Sequence, residues 1–397
     1  MNKNYKIWII AGETSGDTYG ADLARSLLNL IPQNISIAGM GGKAMKEAGV
    51  NILVDSTELG VVGFVEVFKH IFKFIRIFKY LVKKAEVTRP DAVILIDYPG
   101  FNIRLAKQLF KKNITAIWYI SPQVWAWKKN RIKRLAANCK KMLVIFPFEV
   151  DVYAESGLPT EFVGHPLVDI VKRLIDPSIR RDPNKFLLLP GSRSSEIERI
   201  LPIMLETAAI LKAKHHELMF KISAARESIK NKINSILKKY IKEHPTCEAK
   251  FEIVTGQNIR LLQECGTGLS KSGTINVESA IAGLPEVVFY KLNPITFLIA
   301  RIVIGKLFRG FFCMVNIIAN KTVYEELLQS KATPEALAEA IEKILPGGPR
   351  RQEVISEIKY IAENLLTMGK KEASDNVAAC VISTVNQVQE KNKEYCR

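Results

Sequence analysis

The 397-residue sequence predicts an α/β protein made of two doubly wound domains that face each other across a cleft. Short apolar, β-branched runs alternate with helical segments in residues 1–170 and again in residues 184–345. A glycine-containing turn follows the first strand of each half, where such sheets place the backbone that contacts ligands. The chain is also longer than one hydrophobic core usually serves, so two domains are expected.

The first predicted domain has one acidic residue directly after a buried strand. Its predicted strands are Ile7–Ile10, Ile35–Ala38, Ala92–Ile96, Ala116–Ile120 and Met142–Phe146. Asp97 follows the third of them, and a carboxylate at the carboxyl end of a strand faces the crevice where such sheets bind ligands. Asp97 would otherwise cap a helix predicted to begin near Asn102. The intervening Pro99-Gly100 favours a functional role.

Residues 64–82 form a predicted amphipathic helix that is basic and rich in phenylalanine. Phe64, Phe68 and Phe78 belong to an apolar series with steps of three and four residues, and most lysines lie opposite that series. Phe72 and Phe74 widen the apolar face. Such a helix lies in a membrane interface, lines an apolar cleft, or packs on the core with its other face in solvent.

A linker at residues 176–183 is predicted to precede the second domain. The predicted strands of this domain are Phe186–Leu189, Leu218–Ile222, Phe251–Val254 and Pro285–Tyr290. A turn with the sequence Pro190-Gly191-Ser192-Arg193 follows the first strand, and an arginine there is suited to a two-pronged hydrogen bond with phosphate.

The stretch Ser272-Gly273-Thr274 follows another apolar run and precedes a helix. Glycine lets a ligand approach the backbone, hydroxyl groups donate to phosphate, and the N–H groups that begin a helix favour an anion. Glu278 lies one turn further on, where its carboxylate would accept the hydroxyl groups of a ribose. This pattern is typical of a nucleotide-diphosphate site. The alternative is a Ser/Thr cap on an ordinary helix.

Composition limits the class of protein. Lys and Arg number 57 against 40 Asp and Glu, a net charge of +17 that favours a polyanionic partner. Six singly spaced cysteines are typical of reduced cytosolic thiols. The first apolar run is too short for a signal peptide, and no uncharged run reaches the ~18 to 20 residues of a membrane-spanning helix. A soluble protein, or one held at a membrane surface, is expected.

Several of these stretches resemble the lipid-A-disaccharide synthases, a bacterial glycosyltransferase family (family 19) with two Rossmann-like domains, the GT-B fold. The similarity keeps the family's order over roughly residues 5–330. The matching stretches are Ala11-Gly12-Glu13-Thr14-Ser15-Gly16-Asp17, Gly63-Phe64-Val65-Glu66-Val67, Ser121-Pro122-Gln123-Val124-Trp125-Ala126-Trp127, Phe146-Pro147-Phe148-Glu149, Phe162-Val163-Gly164-His165-Pro166-Leu167, Leu189-Pro190-Gly191-Ser192-Arg193 and Ser272-Gly273-Thr274.

The resemblance implies transfer of diacylglucosamine from UDP to the 6-hydroxyl of diacylglucosamine 1-phosphate, with inversion, on the cytoplasmic face of the inner membrane. It makes Asp97 the catalytic base or an essential acid, with Ser15 and Asp17 nearby. The implied UDP-binding residues are Ser192, Arg193, Ser272, Gly273, Thr274, Glu278, Asn316 and Gln329. The implied membrane or acyl contacts are Phe64, Phe68, Phe72 and Phe74.

No metal and no cofactor are expected, because inverting transfer needs only a base and positive charge at the leaving diphosphate, and the chain lacks a D-x-D pair. Residues 346–397 are expected to form helices that pack on the first domain or on a partner subunit, which leaves room for a homodimer. Two departures stand out. Gly100 replaces a common Asp beside Asp97, and Asn320-Lys321-Thr322 replaces Gly-Arg-Glu.

Two other functions stay open at this point. A sugar-nucleotide epimerase shares the two-domain architecture, although it has no need of a basic, phenylalanine-rich helix. A nucleic-acid-binding protein is favoured by the net charge alone, because no familiar nucleic-acid-binding motif is evident.

Overall fold

The computed structural model describes residues 4–56, 67–123, 130–291 and 310–395. The chain divides into two compact units, of which the first contains residues 1–166 and 367–397 and the second residues 167–366. The second unit thus extends beyond the predicted end at residue 345, and the last segment of the chain returns to the first unit.

Seven strands of the first unit form one parallel sheet in the order β3-β2-β1-β4-β5-β6-β7. Their bounds are β1 Tyr5–Ala11, β2 Ile35–Gly41, β3 Asn51–Asp55, β4 Ala92–Ile96, β5 Ala116–Tyr119, β6 Lys141–Val144 and β7 Thr160–Phe162. The central strands are apolar on both faces because helices cover both sides of a doubly wound sheet. Trp8, Leu95 and Trp118 lie in the resulting core.

Six strands of the second unit form a second parallel sheet in the order β10-β9-β8-β11-β12-β13. Their bounds are β8 Asp182–Leu189, β9 Met219–Ala224, β10 Phe251–Thr255, β11 Cys265–Lys271, β12 Glu286–Tyr290 and β13 Glu326–Leu328. The predicted linker at 176–183 therefore runs into β8.

The helices follow the strands along the chain. Their bounds are α1 Thr14–Leu30, α2 Lys43–Glu47, α3 Val67–Thr88, α4 Pro99–Lys111, α5 Asn130–Asn138, α6 Glu149–Tyr153, α7 Pro166–Leu174, α8 Ser194–Lys214, α9 Glu227–Glu243, α10 Asn258–Glu264, α11 Ile275–Ile281, α12 Met314–Ala319, α13 Pro334–Glu342, α14 Arg351–Tyr360 and α15 Ala373–Tyr395. In the described part of the chain, none of them is both long enough and apolar enough to cross a membrane.

Helix α15 packs on the first unit. The Ser26 hydroxyl donates to the Ser374 hydroxyl over 3.0 Å, and the Gln389 amide donates to Asp91 over 2.7 Å. Helix α14 belongs instead to the second unit, so the C-terminal helices are divided between the units.

Helix α3 presents two different faces. Leu81 and Ala85 are buried, and Phe74 and Phe78 pack against the same core. Phe72 points the other way and is 80% exposed. Phe74 was predicted as a membrane or acyl contact, but its position one turn before Phe78 places it on the core side. Phe64 and the side chain of Phe68 lie outside the described residues.

Candidate active site

The first candidate site lies where the strand order of the first sheet reverses. From β1 the chain proceeds to β2 and β3 on one side and to β4 on the other. Ala11 and Ile96 pair at the adjacent carboxyl ends of β1 and β4. Open α/β sheets bind ligands at such a reversal. Glu13 and Asp97 follow these two strand ends.

The backbone at Asp97 is held in a strained turn. Asp97 and Tyr98 both have left-handed conformations, with φ of 42° and 48°. Each such residue costs on the order of 1–3 kcal/mol and is usually kept by surrounding contacts. Here the buried amide of Asn102 donates to the carbonyl of Asp97 over 2.8 Å. Helix α4 begins at Pro99, so the prediction that Pro99-Gly100 separates Asp97 from the helix was wrong; proline suits the first helical position.

Glycine at position 12 makes room for this turn. A Cβ atom on Gly12 would lie 2.3 Å from the ring of Tyr98. The ring therefore lies directly against the backbone at the end of β1. This close contact brings the turn that carries Asp97 against the turn that carries Glu13.

The pKa of Asp97 is raised to about 6, first by burial and then by the negative charge of Glu13. A backbone hydrogen bond from Tyr98 and the charge of Arg131 oppose the shift. At pH 7 most of the carboxylate is ionised, yet it binds a proton more readily than an ordinary Asp. This is the balance that a general base needs. Glu13 is thus a second carboxylate close enough to Asp97 to raise its pKa.

Replacing Glu13 by Gln is expected to shift the acid limb of the rate–pH profile to lower pH. The charge of Glu13 raises the pKa of Asp97, so its removal lets Asp97 stay ionised in more acidic solution. The profile of kcat/KM measures this shift. Glu47→Gln, which alters an exposed glutamate on α2, is the control. An identical acid limb in both variants would show that Glu13 does not tune Asp97.

Asp17 has a structural position. Its carboxylate accepts hydrogen bonds from the backbone N–H groups of Gly42 (2.6 Å), Ala44 (2.9 Å) and Met45 (3.1 Å), which begin α2. These contacts favour a capping role over the catalytic role predicted from the sequence. Ser15 is exposed in the first turn of α1.

The second candidate site lies at the corresponding reversal in the second sheet, between β8 and β11. Leu189 of β8 pairs with Ser270 of β11, so the turns that follow these strands are neighbours. Gly191, in the first turn, has φ of 103°, a conformation that favours glycine. The second turn is Ser272-Gly273-Thr274, and Thr274 is exposed.

Internal hydrogen bonds hold the second turn. The Ser272 hydroxyl donates to the Phe312 carbonyl over 3.0 Å, and the Gly273 N–H donates to Asn276 Oδ1 over 2.7 Å. Two of the donors that the sequence argument assigned to phosphate are therefore engaged within the protein. The turn gains rigidity, and the ligand has to be held by other groups as well.

Buried polar side chains support this turn from below. Asn276 Nδ2 donates to Ser270 Oγ and to Glu286 Oε1, both over 2.8 Å. Burial raises the pKa of Glu286 to about 8, against the opposing hydrogen bonds of its neighbours. The carboxyl is thus mostly neutral at pH 7, and the network holds no uncompensated charge. Sequence analysis did not select Asn276 or Glu286.

Glu196 joins the two turns through its carboxylate. It accepts a hydrogen bond from Arg193 Nη1 and one from Lys271 Nζ, each over 3.0 Å. Burial raises the pKa of Glu196, but the hydrogen bonds and charges of Lys271 and Arg193 outweigh it and lower the pKa overall. Ser192 and Arg193 are exposed, whereas Lys271 is mostly covered. Sequence analysis missed Glu196 and Lys271, although Lys271 directly precedes the turn.

The remaining predicted residues of the second unit have different surroundings. Glu278 is half-buried on α11, and burial raises its pKa. Gln329 directly follows β13 at the same edge of the sheet and has φ of 54°.

Asn316 is fully buried, and both ends of its amide are used inside the chain. Oδ1 accepts from the N–H groups of Val323 and Tyr324, and Nδ2 donates to the carbonyl of Tyr324 and to Glu326. These contacts favour a loop-positioning role over the predicted contact with UDP. Within the four described stretches, no group of three or more His, Cys, Asp or Glu side chains could hold a metal ion.

Comparison with known proteins decides the family. A family model described as lipid-A-disaccharide synthetase matches residues 7–381. The chain belongs to this family. A lipid-A-disaccharide synthase of Trichlorobacter lovleyi is 36% identical over 389 residues, which cover 96% of this chain and 98% of the relative. One of Coxiella burnetii is 34% identical over 386 residues, 95% and 98% of the two chains.

Solved structures confirm the fold class. A UDP-GlcNAc 2-epimerase from Neisseria meningitidis has a TM-score of 0.61 at 10% identity, covering 96% of this chain and 100% of its own. A glycosyltransferase from Rickettsia africae has a TM-score of 0.56 at 13% identity, covering 97% and 99%. Identities this low show the fold alone. Membership of the synthetase family favours neither the epimerase nor the nucleic-acid-binding alternative.

Proposed function

We propose that this protein is an inverting glycosyltransferase that joins UDP-2,3-diacylglucosamine to 2,3-diacylglucosamine 1-phosphate. The product is the β-1,6-linked lipid A disaccharide 1-phosphate, and UDP is released. The observation that carries the proposal is the family match over residues 7–381. A half-buried carboxylate with a raised pKa at the reversal of the first sheet is consistent with it.

In the proposed reaction, Asp97 takes the proton of the acceptor 6-hydroxyl. The hydroxyl oxygen forms a bond to the anomeric carbon from the face opposite the diphosphate. The bond from the anomeric carbon to the phosphate oxygen breaks, and its electron pair leaves with UDP. Asp97 then releases the proton to water. The chain needs to supply only a base and positive charge for this step.

The second unit would hold the UDP group at its sheet reversal. Arg193 is exposed and already points its guanidinium at a carboxylate, which is the geometry that a phosphate would also satisfy. Ser192, Thr274, Glu278 and Gln329 stay predictions as further UDP contacts. A fold neighbour solved with UDP-GlcNAc is consistent with this use of the architecture.

Acceptor-dependent release of UDP tests the proposal. The purified chain is incubated with UDP-diacylglucosamine, with and without diacylglucosamine 1-phosphate. We expect UDP and the disaccharide to appear in equal amounts, and only when the acceptor is present. Release of UDP without an acceptor, or conversion of the sugar nucleotide to an epimer, would contradict the assignment.

Helix α3 is our proposed contact with the cytoplasmic face of the inner membrane. Phe72 and Ile75 are exposed on this helix. The cationic side chains of Arg76, Lys79 and Lys83 are exposed on the same helix. Apolar side chains next to cations suit an anionic lipid surface. Such a contact would bring the protein to its two substrates, which both carry acyl chains. A homodimer stays a prediction from the family resemblance.

Phe72→Ser is expected to weaken binding to anionic phospholipid vesicles by ~10-fold without lowering the melting temperature. Burial of one phenylalanine is worth about 1.5–3 kcal/mol, and Phe72 contributes little to the core while it is exposed. Phe110→Ser is the matched control, because Phe110 is also exposed in this unit. Flotation and a melting curve on the same samples measure both effects. Equal flotation of the two variants would place the membrane contact elsewhere.

A further inference from the structure

We propose that Lys271 is a direct ligand of the diphosphate group and stabilises its negative charge as it leaves. This inference rests on the proposed function and adds a residue to it. Lys271 ends β11, immediately before the Ser272-Gly273-Thr274 turn, and its neighbours on both sides are strands that end at the same edge: β8 and β12.

The side chain of Lys271 lies between the two glycine turns. A Cβ atom on Gly191 would lie 3.2 Å from Lys271 Cδ, and one on Gly273 would lie 3.6 Å from Nζ. Glycine at both positions leaves the space beside the ammonium open on the turn side. A phosphate oxygen approaching either turn would therefore come close to Nζ.

Among the described residues, Lys271 and Arg193 share a single carboxylate partner. Glu196 is the acidic partner of both Arg193 and Lys271, so one carboxylate faces two cations. An ammonium has three N–H donors. In the described stretches, Nζ contacts Glu196 on one side and lies 5.5 Å from the ring centre of Tyr290 on another. An anionic ligand would use the remaining donor and balance the charge.

The hydrogen bonds that hold the turn support this assignment. The Ser272 hydroxyl is bonded to Phe312 and the Gly273 N–H to Asn276, so neither is available without rearrangement. A leaving diphosphate needs positive charge at a fixed position. Lys271 is held by Glu196 and is only 15% exposed, whereas Arg193 is 76% exposed. The more rigid of the two cations is thus Lys271.

The competing role for Lys271 is that of a counter-ion that only stabilises Glu196. The same unit contains a matched pair for comparison. Lys221 Nζ lies 2.8 Å from Glu264 Oε1, with side-chain exposures of 14% and 11%, against 15% and 10% for Lys271 and Glu196. Lys221 lies within β9, away from both glycine turns. Lys221 also contacts Glu252 over 3.3 Å, so its removal should cost at least as much stability as removal of Lys271, but only removal of Lys271 should weaken binding of a diphosphate.

The experiment measures the dissociation constants of UDP and of UMP for the full chain and for three variants: Lys271→Met, Lys271→Arg and Lys221→Met. We expect Lys271→Met to weaken UDP by about 10- to 100-fold, the loss typical of a hydrogen bond to a charged group, and to weaken UMP much less. Lys271→Arg should retain more of the preference for UDP, and Lys221→Met all of it. Melting curves show whether the two methionine variants are equally folded.

Two results would overturn the inference. One is a Lys271→Met protein that keeps its UDP affinity within about two-fold. The other is an equal loss of UDP affinity in Lys271→Met and Lys221→Met, since stability alone would then explain it. The unaltered chain separates this inference from the proposed function. Suppose that the unaltered chain binds UDP and transfers the sugar, but that the Lys271 variants bind UDP equally well. The role proposed for Lys271 would then be wrong, and the proposed function would be unaffected.

Discussion

Asp97→Asn is expected to lower the rate of acceptor-dependent UDP release by about 10²–10⁴-fold, the usual loss when a general base is removed. The substitution changes one polar atom at the end of β4 and leaves the backbone hydrogen bonds of the turn in place. Steady-state kinetics and a melting curve measure the two consequences. Near-normal turnover in a folded Asp97→Asn protein would exclude Asp97 as the base.

The stability of the Asp97→Asn protein provides a second test. The pKa of Asp97 is raised on folding to about 6, so protonated Asp97 favours the fold. This contribution is complete below the ordinary Asp pKa and is lost as the pH rises through about 6, where ionised Asp97 costs stability. At pH 7.5 a neutral Asn avoids that cost, and the melting temperature should stay equal or rise. Asp91→Asn is the control at the other end of β4. Asp91 accepts the N–H of Lys6 over 2.7 Å, so its loss should reduce stability and spare turnover.

Arg193→Ala is expected to reduce kcat/KM for the UDP sugar by about 10- to 100-fold. The guanidinium would lose charge-assisted hydrogen bonds to phosphate, each worth about 1.5–3 kcal/mol. Its pair with Glu196 is mostly exposed on the arginine side and adds little to stability, so the fold should persist.

The control for Arg193 is Arg25→Ala. Arg25 contacts Asp22 over 2.7 Å. Asp22, like Glu196, lies three residues from its arginine and is largely buried. Arg25 lies on α1 of the first unit, whereas the glycine turns belong to the second unit. Comparable losses of kcat/KM in both variants would show that the effect of Arg193→Ala does not come from phosphate binding.

The sequence predicted most of the central strands of both sheets because they lie between two layers of helices and are apolar on both faces. The exception is β11, which was recognised only as an apolar run before the Ser272-Gly273-Thr274 turn. The sequence missed β3, β7 and β13, which are short strands at sheet edges. An edge strand is partly exposed and pairs on one side only, so it needs no continuous apolar run. The start of α4 was also misplaced, since Pro99 and Gly100 suggested a loop where proline begins the helix.

The sequence by itself determined the family, the division into two α/β units and the positions of Asp97 and Arg193 at strand ends. These features depend on residue order, periodicity and motifs within short stretches. Only the tertiary structure decided which of the selected side chains are engaged elsewhere. It assigned Asp17 to the start of α2, Asn316 to a loop and Phe74 to the core.

The tertiary structure also placed Glu13, Glu196 and Lys271 at the candidate sites. Each interacts with a residue far away in the chain: Glu13 raises the pKa of Asp97, and Glu196 pairs with Lys271. Parallel strands bring such residues together only when their order in the sheet is known. Charge, burial and pKa depend on those neighbours in space, and a local sequence pattern carries no information about them.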